Sequence, residues 1–383
     1  MNIQNFDDTR PYNNEEIPDA LRRISNHFYF PIIIHYLFPE KDINTFKDDF
    51  LRIKSAFEFQ EKVMYKVIKT LVNNSTTCLT SEGIEKLSND KNYMFIANHR
   101  DILLDSAILQ TLLIDNQMDT SEITFGSNLM KDDFIIDVGK INKMFKIVRG
   151  GNFREAYTSS MKVSQYMRYA ITEKKQSTWI AQRNGRTKDG NDMTEIAVLK
   201  MFTMSSKKPF AENLSELNIT PLVISYEYEP CDFFKTREIY ISRRQKYKKA
   251  QDEDLQSILH GIKQWKGNIH FAFAETITAQ ELDYCNRHSD KFKLLSDIID
   301  KKIYVHYKLW CTNYIAYDLI NNTTKFHSFY SVKEKEEFIS YMSEGLKSID
   351  GNIDELKDIF LKIYANPVYN HLKTNSVSGA QVL

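Results

Sequence analysis

No apolar run in the sequence approaches the roughly 18 to 20 residues that a spanning helix requires, so the chain is not expected to cross a membrane. Cysteine is scarce. Cys78, Cys231, Cys285 and Cys311 lie far apart and share no metal-ligand spacing, which reads most simply as reduced thiols in a cytosolic protein. There is no charge imbalance either: Lys+Arg and Asp+Glu both number 51, so no global field favours nucleic acid or a bulk anionic surface. The first fourteen residues are polar and carry Asp7, Asp8 and Arg10, unlike a signal peptide. No P-loop ending in Gly-Lys-Ser/Thr and no Gly-x-Gly-x-x-Gly fingerprint follows an apolar run, which disfavours a nucleotide cofactor. No Gly-x-Ser-x-Gly elbow, no cysteine with a candidate partner and no His-Glu-x-x-His spacing occurs, so neither a protein nucleophile nor a metal is expected. His27, His35, His260, His270, His288, His306, His327 and His371 accordingly read as structural or surface residues.

Aromatic residues, by contrast, are plentiful, with 24 Phe, 21 Tyr and 3 Trp. Large rings with a polar handle suit a boundary between water and something apolar, though they serve equally in a core. The most apolar stretch, Phe28 to Phe38, is too short to span a bilayer. It reads first as a strand or helix packed on the main domain, with insertion into a membrane interface as the alternative.

Helical spacing dominates residues 1–90, in Ile17, Leu21 and Ile24 and again from Ser55 to Val72. From about Asn92 short apolar runs alternate with helical patterns. Strands are predicted at Tyr93–Ala97, Ile123–Phe125, Phe145–Val148, Thr178–Ala181, Thr220–Tyr226, Arg237–Ser242 and Asn268–Phe273. Helices are predicted at about Ile102–Ile114, Arg154–Glu173, Glu195–Met204 and Asp252–Trp265. The alternation implies an α/β fold with a mostly parallel sheet and helices on both faces. The expected organisation is a helical N-terminal region over 1–90, an α/β domain over 91–275, a helical region over 276–373 and a frayed tail over 374–383.

Active sites of α/β sheets gather at the carboxyl ends of strands. The first predicted strand runs straight into Asn98-His99-Arg100-Asp101, with Asp105 just beyond. A histidine becomes an effective base once a carboxylate fixes its tautomer and orientation, and either Asp101 or Asp105 could do so here. The bland reading is a histidine at a helix start, with aspartates favouring the positive end of the helix dipole. The next exits contain Arg149-Gly150-Gly151 and Arg183-Asn184-Gly185-Arg186. Glycine admits close approach by a ligand, and arginine offers a planar fork suited to phosphate oxygens. Singly, each loop is an ordinary solvated turn. Together they support acyl transfer to a hydroxyl on a phosphate-bearing acceptor, with His99 taking the hydroxyl proton.

These residues resemble the PlsC-type glycerolphosphate acyltransferases. Asn98 to Asp105 is similar to that family's first block, His, four residues, Asp, although here five residues separate His99 from Asp105. Lys131 to Gly150, closing on Phe145-Lys146-Ile147-Val148-Arg149, resembles the second block. Arg183-Asn184-Gly185-Arg186-Thr187 sits where the family has Pro-Glu-Gly-Thr-Arg, with Asn184 replacing the glutamate. Ile219 to Ile224 and Asn268 to Phe273 resemble the fourth block and the closing strand. The resemblance covers about residues 90 to 275. It implies a 1-acylglycerol-3-phosphate O-acyltransferase of phospholipid biosynthesis, using acyl-CoA or acyl-carrier protein as donor substrate and no other cofactor. His99 would be the general base, Asp105 its partner, Arg149 and Arg186 phosphate contacts and Gly185 a close-approach glycine; Arg183 and Asn184 belong to the same acceptor loop. The family works at the cytoplasmic face of membranes, which would give the 28–38 stretch a task and makes a membrane surface an expected partner. Two other readings keep the fold: transfer to a lyso-aminolipid, and a catalytically silent lipid-binding homologue.

Overall fold

The computed structural model describes residues 6–130, 132–148, 150–250 and 252–377. Seven strands form one sheet: β1 (Cys78–Glu82), β2 (Met94–Ala97), β3 (Glu122–Gly126), β4 (Met144–Ile147), β5 (Thr178–Ala181), β6 (Ile219–Tyr226) and β7 (Asn268–Phe273). Their order is β1-β7-β6-β2-β5-β3-β4, and every neighbouring pair is parallel except β6 with β7. The fold is thus a mostly parallel α/β sheet, as the alternating pattern implies.

The central strands are short and wholly buried. All residues of β2, β5 and β6 are buried, which is why each reads as a continuous apolar run rather than an alternating one. Successive side chains nevertheless point to opposite faces. Phe95 and Ala97 pack in a core with Ile108, Leu109 and Leu112 from the helix Leu104–Asp115 and with the N-terminal helices. Met94 and Ile96 enter a second core with Val163, Met167, Leu199 and Leu295. A third core, around Phe338, Phe360 and Tyr364, belongs to the C-terminal helices.

Three expectations are corrected. The first ninety residues are not all helical, because β1 lies among them and pairs with β7 at the sheet edge. Arg237–Ser242 is not a strand but the end of the helix Asp232–Ser242. Its Ile239 and Ile241 alternate, yet Phe233 and Tyr240 share a helical face that packs on the C-terminal helices, with Phe233 stacked 5.2 Å from Phe360. The last helix, Ile353–Val377, runs into the segment expected to fray, and residues 378–383 lie outside the described residues. The 28–38 stretch forms the helix Tyr29–Leu37, which buries Phe30 and Ile34 and leaves Phe28, Ile32 and Tyr36 more than 60% exposed.

β6 and β7 are antiparallel neighbours that a turn of a few residues could join. Instead, residues 227–267 intervene, carrying the helices Asp232–Ser242 and Glu253–Lys263. The base of this insertion is pinned by Glu227 N–H donating to Asn268 O (2.9 Å) and Tyr228 N–H to Lys266 O (3.0 Å).

Candidate active site

The chain leaves β2 at Ala97 and does not begin its next helix until Leu104, so residues 98–103 are free to turn irregularly. That looseness absorbs the extra residue between His99 and Asp105. His99 Nδ1 lies 2.8 Å from Asp105 Oδ2, which also accepts the backbone N–H groups of Arg100 (2.6 Å) and Asp101 (3.0 Å). Tyr226, the last residue of β6, donates its hydroxyl to Asp105 Oδ1 at 2.8 Å. Both oxygens of a fully buried carboxylate are therefore satisfied. Burial and the neighbouring carboxylates hold the Tyr226 hydroxyl well above its ordinary pKa, so it remains a donor. An ionised carboxylate can only accept, which puts the imidazole proton on Nδ1 and leaves Nε2 as the free basic atom.

The choice between the two aspartates falls to Asp105. Asp101 turns the other way: its Oδ1 accepts Leu103 N–H (2.9 Å) and Leu104 N–H (2.7 Å), capping the start of the helix. Its Oδ2 is buried without a hydrogen-bond partner, and burial followed by the charge of Asp105 raises its pKa. A Cβ on Gly261 would stand 2.3 Å from that oxygen, so the helix Glu253–Lys263 approaches this closely only because residue 261 has no side chain.

A buried ion network holds the turn from behind. Arg100, wholly enclosed, donates to Asp192 Oδ2 (2.5 Å) and Glu229 Oε2 (3.2 Å). Lys235 donates to Glu229 Oε1 (2.5 Å) and to the Arg100 carbonyl (2.9 Å). Asp192 further accepts from Asn98 Nδ2 (3.1 Å) and from Thr187 Oγ1 (2.8 Å), while Thr187 N–H donates to the His99 carbonyl (2.7 Å). Two cations face two anions, so the network buries no net charge. It ties the His99 turn to the 183–192 loop and to the β6–β7 insertion. The C-terminal helices reach the same insertion through Tyr364, whose hydroxyl donates to Asp232 Oδ2 (2.6 Å) and accepts Glu229 N–H (3.0 Å).

His99 lines a cavity of about 120 Å³, together with Trp179, Gly185 and Arg186. Gly185 has φ +78° and open space where a Cβ would stand, so the turn itself selects glycine there. Arg186 presents a buried Nη1 with no hydrogen-bond partner in the described structure. Lys249 donates to Asp254 Oδ1 (2.6 Å) and Asn128 Nδ2 to Asp254 Oδ2 (3.0 Å), linking the insertion to the loop after β3 along the cavity wall. A second, apolar cavity of about 80 Å³ adjoins the first, sharing Leu103, Ser106, Ile123 and Met144, and extends to Tyr65, Ile68 and Ile114.

The predicted residues thus divide. His99 and Asp105 are paired, and Gly185 and Arg186 face the same cavity as His99. Arg183 and Asn184 do not line it; Asn184 is exposed and gives its N–H to Glu195 Oε2 at 3.1 Å. Arg149 lies outside the described residues. Sequence reasoning missed Tyr226 and Asp192. A tyrosine closing an apolar strand at the carboxyl end of the sheet was a usable signal; Asp192, in an irregular loop, gave none.

No family model matches the chain, and no curated protein matches it. Among solved structures it is similar to PlsC, the 1-acyl-sn-glycerophosphate acyltransferase from Thermotoga maritima. The two are 12% identical over 76% of this chain and 92% of that one, with a TM-score of 0.37. At that distance the likeness assigns neither a residue nor an activity. Among the described residues, no helix is long and apolar enough to cross a membrane.

Proposed function

We propose that the protein is an O-acyltransferase that moves a fatty acyl group from a thioester donor, acyl-CoA or acyl-carrier protein, to the hydroxyl of 1-acylglycerol 3-phosphate. The observation that carries this reading is the His99–Asp105 pair, with Nδ1 engaged at 2.8 Å and the residue lining a cavity beside Arg186. In the reaction, Nε2 takes the acceptor hydroxyl proton as the oxygen attacks the thioester carbonyl. The tetrahedral intermediate then collapses, the C–S bond breaks, and the departing thiolate takes the proton back from the imidazolium. Asp105 stabilises that imidazolium and holds the ring in the required tautomer. Arg186, which lines the same cavity, offers a guanidinium suited to an acceptor phosphate oxygen, and the adjoining apolar cavity suits an apolar group of a substrate. Exposed Phe28, Tyr29, Ile32 and Tyr36 favour work at a membrane surface, where both lipids would be met.

The test is release of free thiol from acyl-CoA in the presence of 1-acylglycerol 3-phosphate, with His99→Ala abolishing it. Undiminished release by His99→Ala would remove the general-base assignment. Turnover of lyso-aminolipids alone would keep the mechanism and change the acceptor. Absence of turnover with either donor and either acceptor, with liposome binding retained, would replace the enzyme by a lipid-binding protein.

A further inference from the structure

A groove of about 940 Å³ lies in the N-terminal helices, between the 37–41 segment, the helix Ile43–Leu51 and the helical stretch from Gln60 to Ser75. Its apolar lining comes from Phe38, Phe46, Phe50, Ile53 and Val63. The rings support one another, with Phe38 and Phe46 centred 5.0 Å apart and Phe30 backing Phe50 at 5.2 Å. Around the apolar part stand four cations, Lys41, Arg52, Lys62 and Lys66, against two carboxylates, Glu40 and Asp49. Arg52 is paired with Asp49 at 3.3 Å and Lys62 with Glu58. Lys41 and Lys66 make no ion pair with a described residue.

We infer that this groove binds a single-chain amphiphile with an anionic head group. Its volume falls within the roughly 300 to 1,000 Å³ of small-molecule sites, and such sites combine an apolar lining with a few placed polar groups. The chain of the amphiphile would lie on Leu37, Phe46 and Val63, the half-buried part of the lining, over a floor made by buried Phe38, Phe50 and Ile53, with its head beside Lys41 and Lys66. Leu37 of the helix Tyr29–Leu37 lines the groove, and Ile32 and Tyr36 of the same helix are exposed. A folded partner fits less well, because a stable interface needs a broad face of about 800 Å² on each side rather than a cation-rimmed trough.

This site is separate from the cavities near His99. Lys62, Val63, Lys66 and Thr70 face the groove, whereas Gln60, Met64, Tyr65 and Ile68 of the same helical stretch face the apolar cavity next to His99. The stretch begins with a π-helical segment, Gln60–Met64, a geometry frequent at functional sites. The inference goes beyond acyl transfer and does not depend on it.

Calorimetric titration of the full chain with oleate and with 1-oleoylglycerol 3-phosphate, each below its micelle concentration, tests the site. The Ala107→Trp background, which obstructs the cavity near His99, isolates the groove. There, Lys41→Glu combined with Lys66→Glu should weaken binding roughly tenfold or more, and Val63→Trp should remove it. Unchanged circular dichroism and thermal melts of the Ala107→Trp background and of both groove variants control for folding. Similar losses for both ligands assign the cations to anionic heads in general, and a loss for one alone assigns them to its carboxylate or phosphate. Absence of binding in the Ala107→Trp background overturns the proposal, as does affinity that neither groove variant changes. Equal binding of uncharged 1-oleoylglycerol by the parent and charge variants, with unchanged affinity for both anions, overturns the anionic head. A self-association that the charge variant abolishes, without amphiphile binding, would give the groove to a second copy of the chain.

Discussion

Replacing Asp105 by asparagine should slow catalysis far more than the same change at Asp101. The side-chain carbonyl of the Asp105→Asn variant would keep the acceptor role toward Arg100 N–H, Asp101 N–H and His99 Nδ1, and its amide would turn to Tyr226, whose hydroxyl can rotate to accept. The fold therefore survives, and what disappears is the charge facing the imidazolium as it forms. Two unit charges about 4 Å apart attract by about 4 kcal/mol at an effective dielectric constant near 20. With the imidazolium partly formed in the transition state, the loss is about 3–4 kcal/mol, or roughly a hundred- to a thousandfold in kcat. At Asp101 the amide would keep its oxygen on Leu103 and Leu104 N–H, and only the unpartnered Oδ2 changes. That variant should stay within about threefold of the parent, since less than about 1 kcal/mol is at stake. Steady-state thiol release under saturating donor and acceptor measures both. Equal losses in the two variants, or a larger loss at Asp101, would refute the assignment of Asp105 as the partner.

Tyr226→Phe leaves Asp105 Oδ1 without its donor; the expected cost is about 1–3 kcal/mol of stability, read by denaturant melts, together with a lower kcat at unchanged KM. Gly261→Ala should force Asp101 to release its cap and destabilise by about 1–3 kcal/mol, and pairing it with Asp101→Ala should cost less than the sum of the two single changes. Asp232, raised by burial to about 6, gives a pH signature. Between about pH 4 and 6 it ionises in the unfolded chain but keeps its proton in the fold, so the unfolded state binds fewer protons and stability falls as pH rises. The fall of roughly 3 kcal/mol should be missing from the pH–stability curve of Asp232→Asn; an unaltered curve would refute the assignment.

The parts of the fold that are apolar along their whole length were legible. Met94–Ala97 and Thr178–Ala181 have buried neighbours on both sides of the sheet, so their composition alone marks them as strands. Cys78–Glu82 was not legible, because an edge strand with one partner keeps polar, half-exposed residues and no apolar run. Ile239 and Ile241 misled because two alternations are too few to outweigh the helical face made by Phe233 and Tyr240. At the site, His99 stood out as a histidine at a strand exit. Its partner did not, because the answer depends on where the following helix begins, and that is set by the Asp101 cap and the close passage of Gly261. Tyr226 and Asp192 come from distant segments, so only the sheet order and the ion network bring them to His99.

The placement of β1 bears on how the chain is made. Its only neighbour among the described strands is β7, and Thr80 meets His270 across 190 residues of sequence. During synthesis from the N-terminus, β1 and the helices before it emerge long before the strand that completes their side of the sheet. A nascent chain stopped short of residue 268 can assemble the parallel strands β2 to β6 but must leave β1 with an open edge, the kind of exposed strand that invites mispairing. Chains truncated before β7 should therefore be held by chaperones as incomplete products.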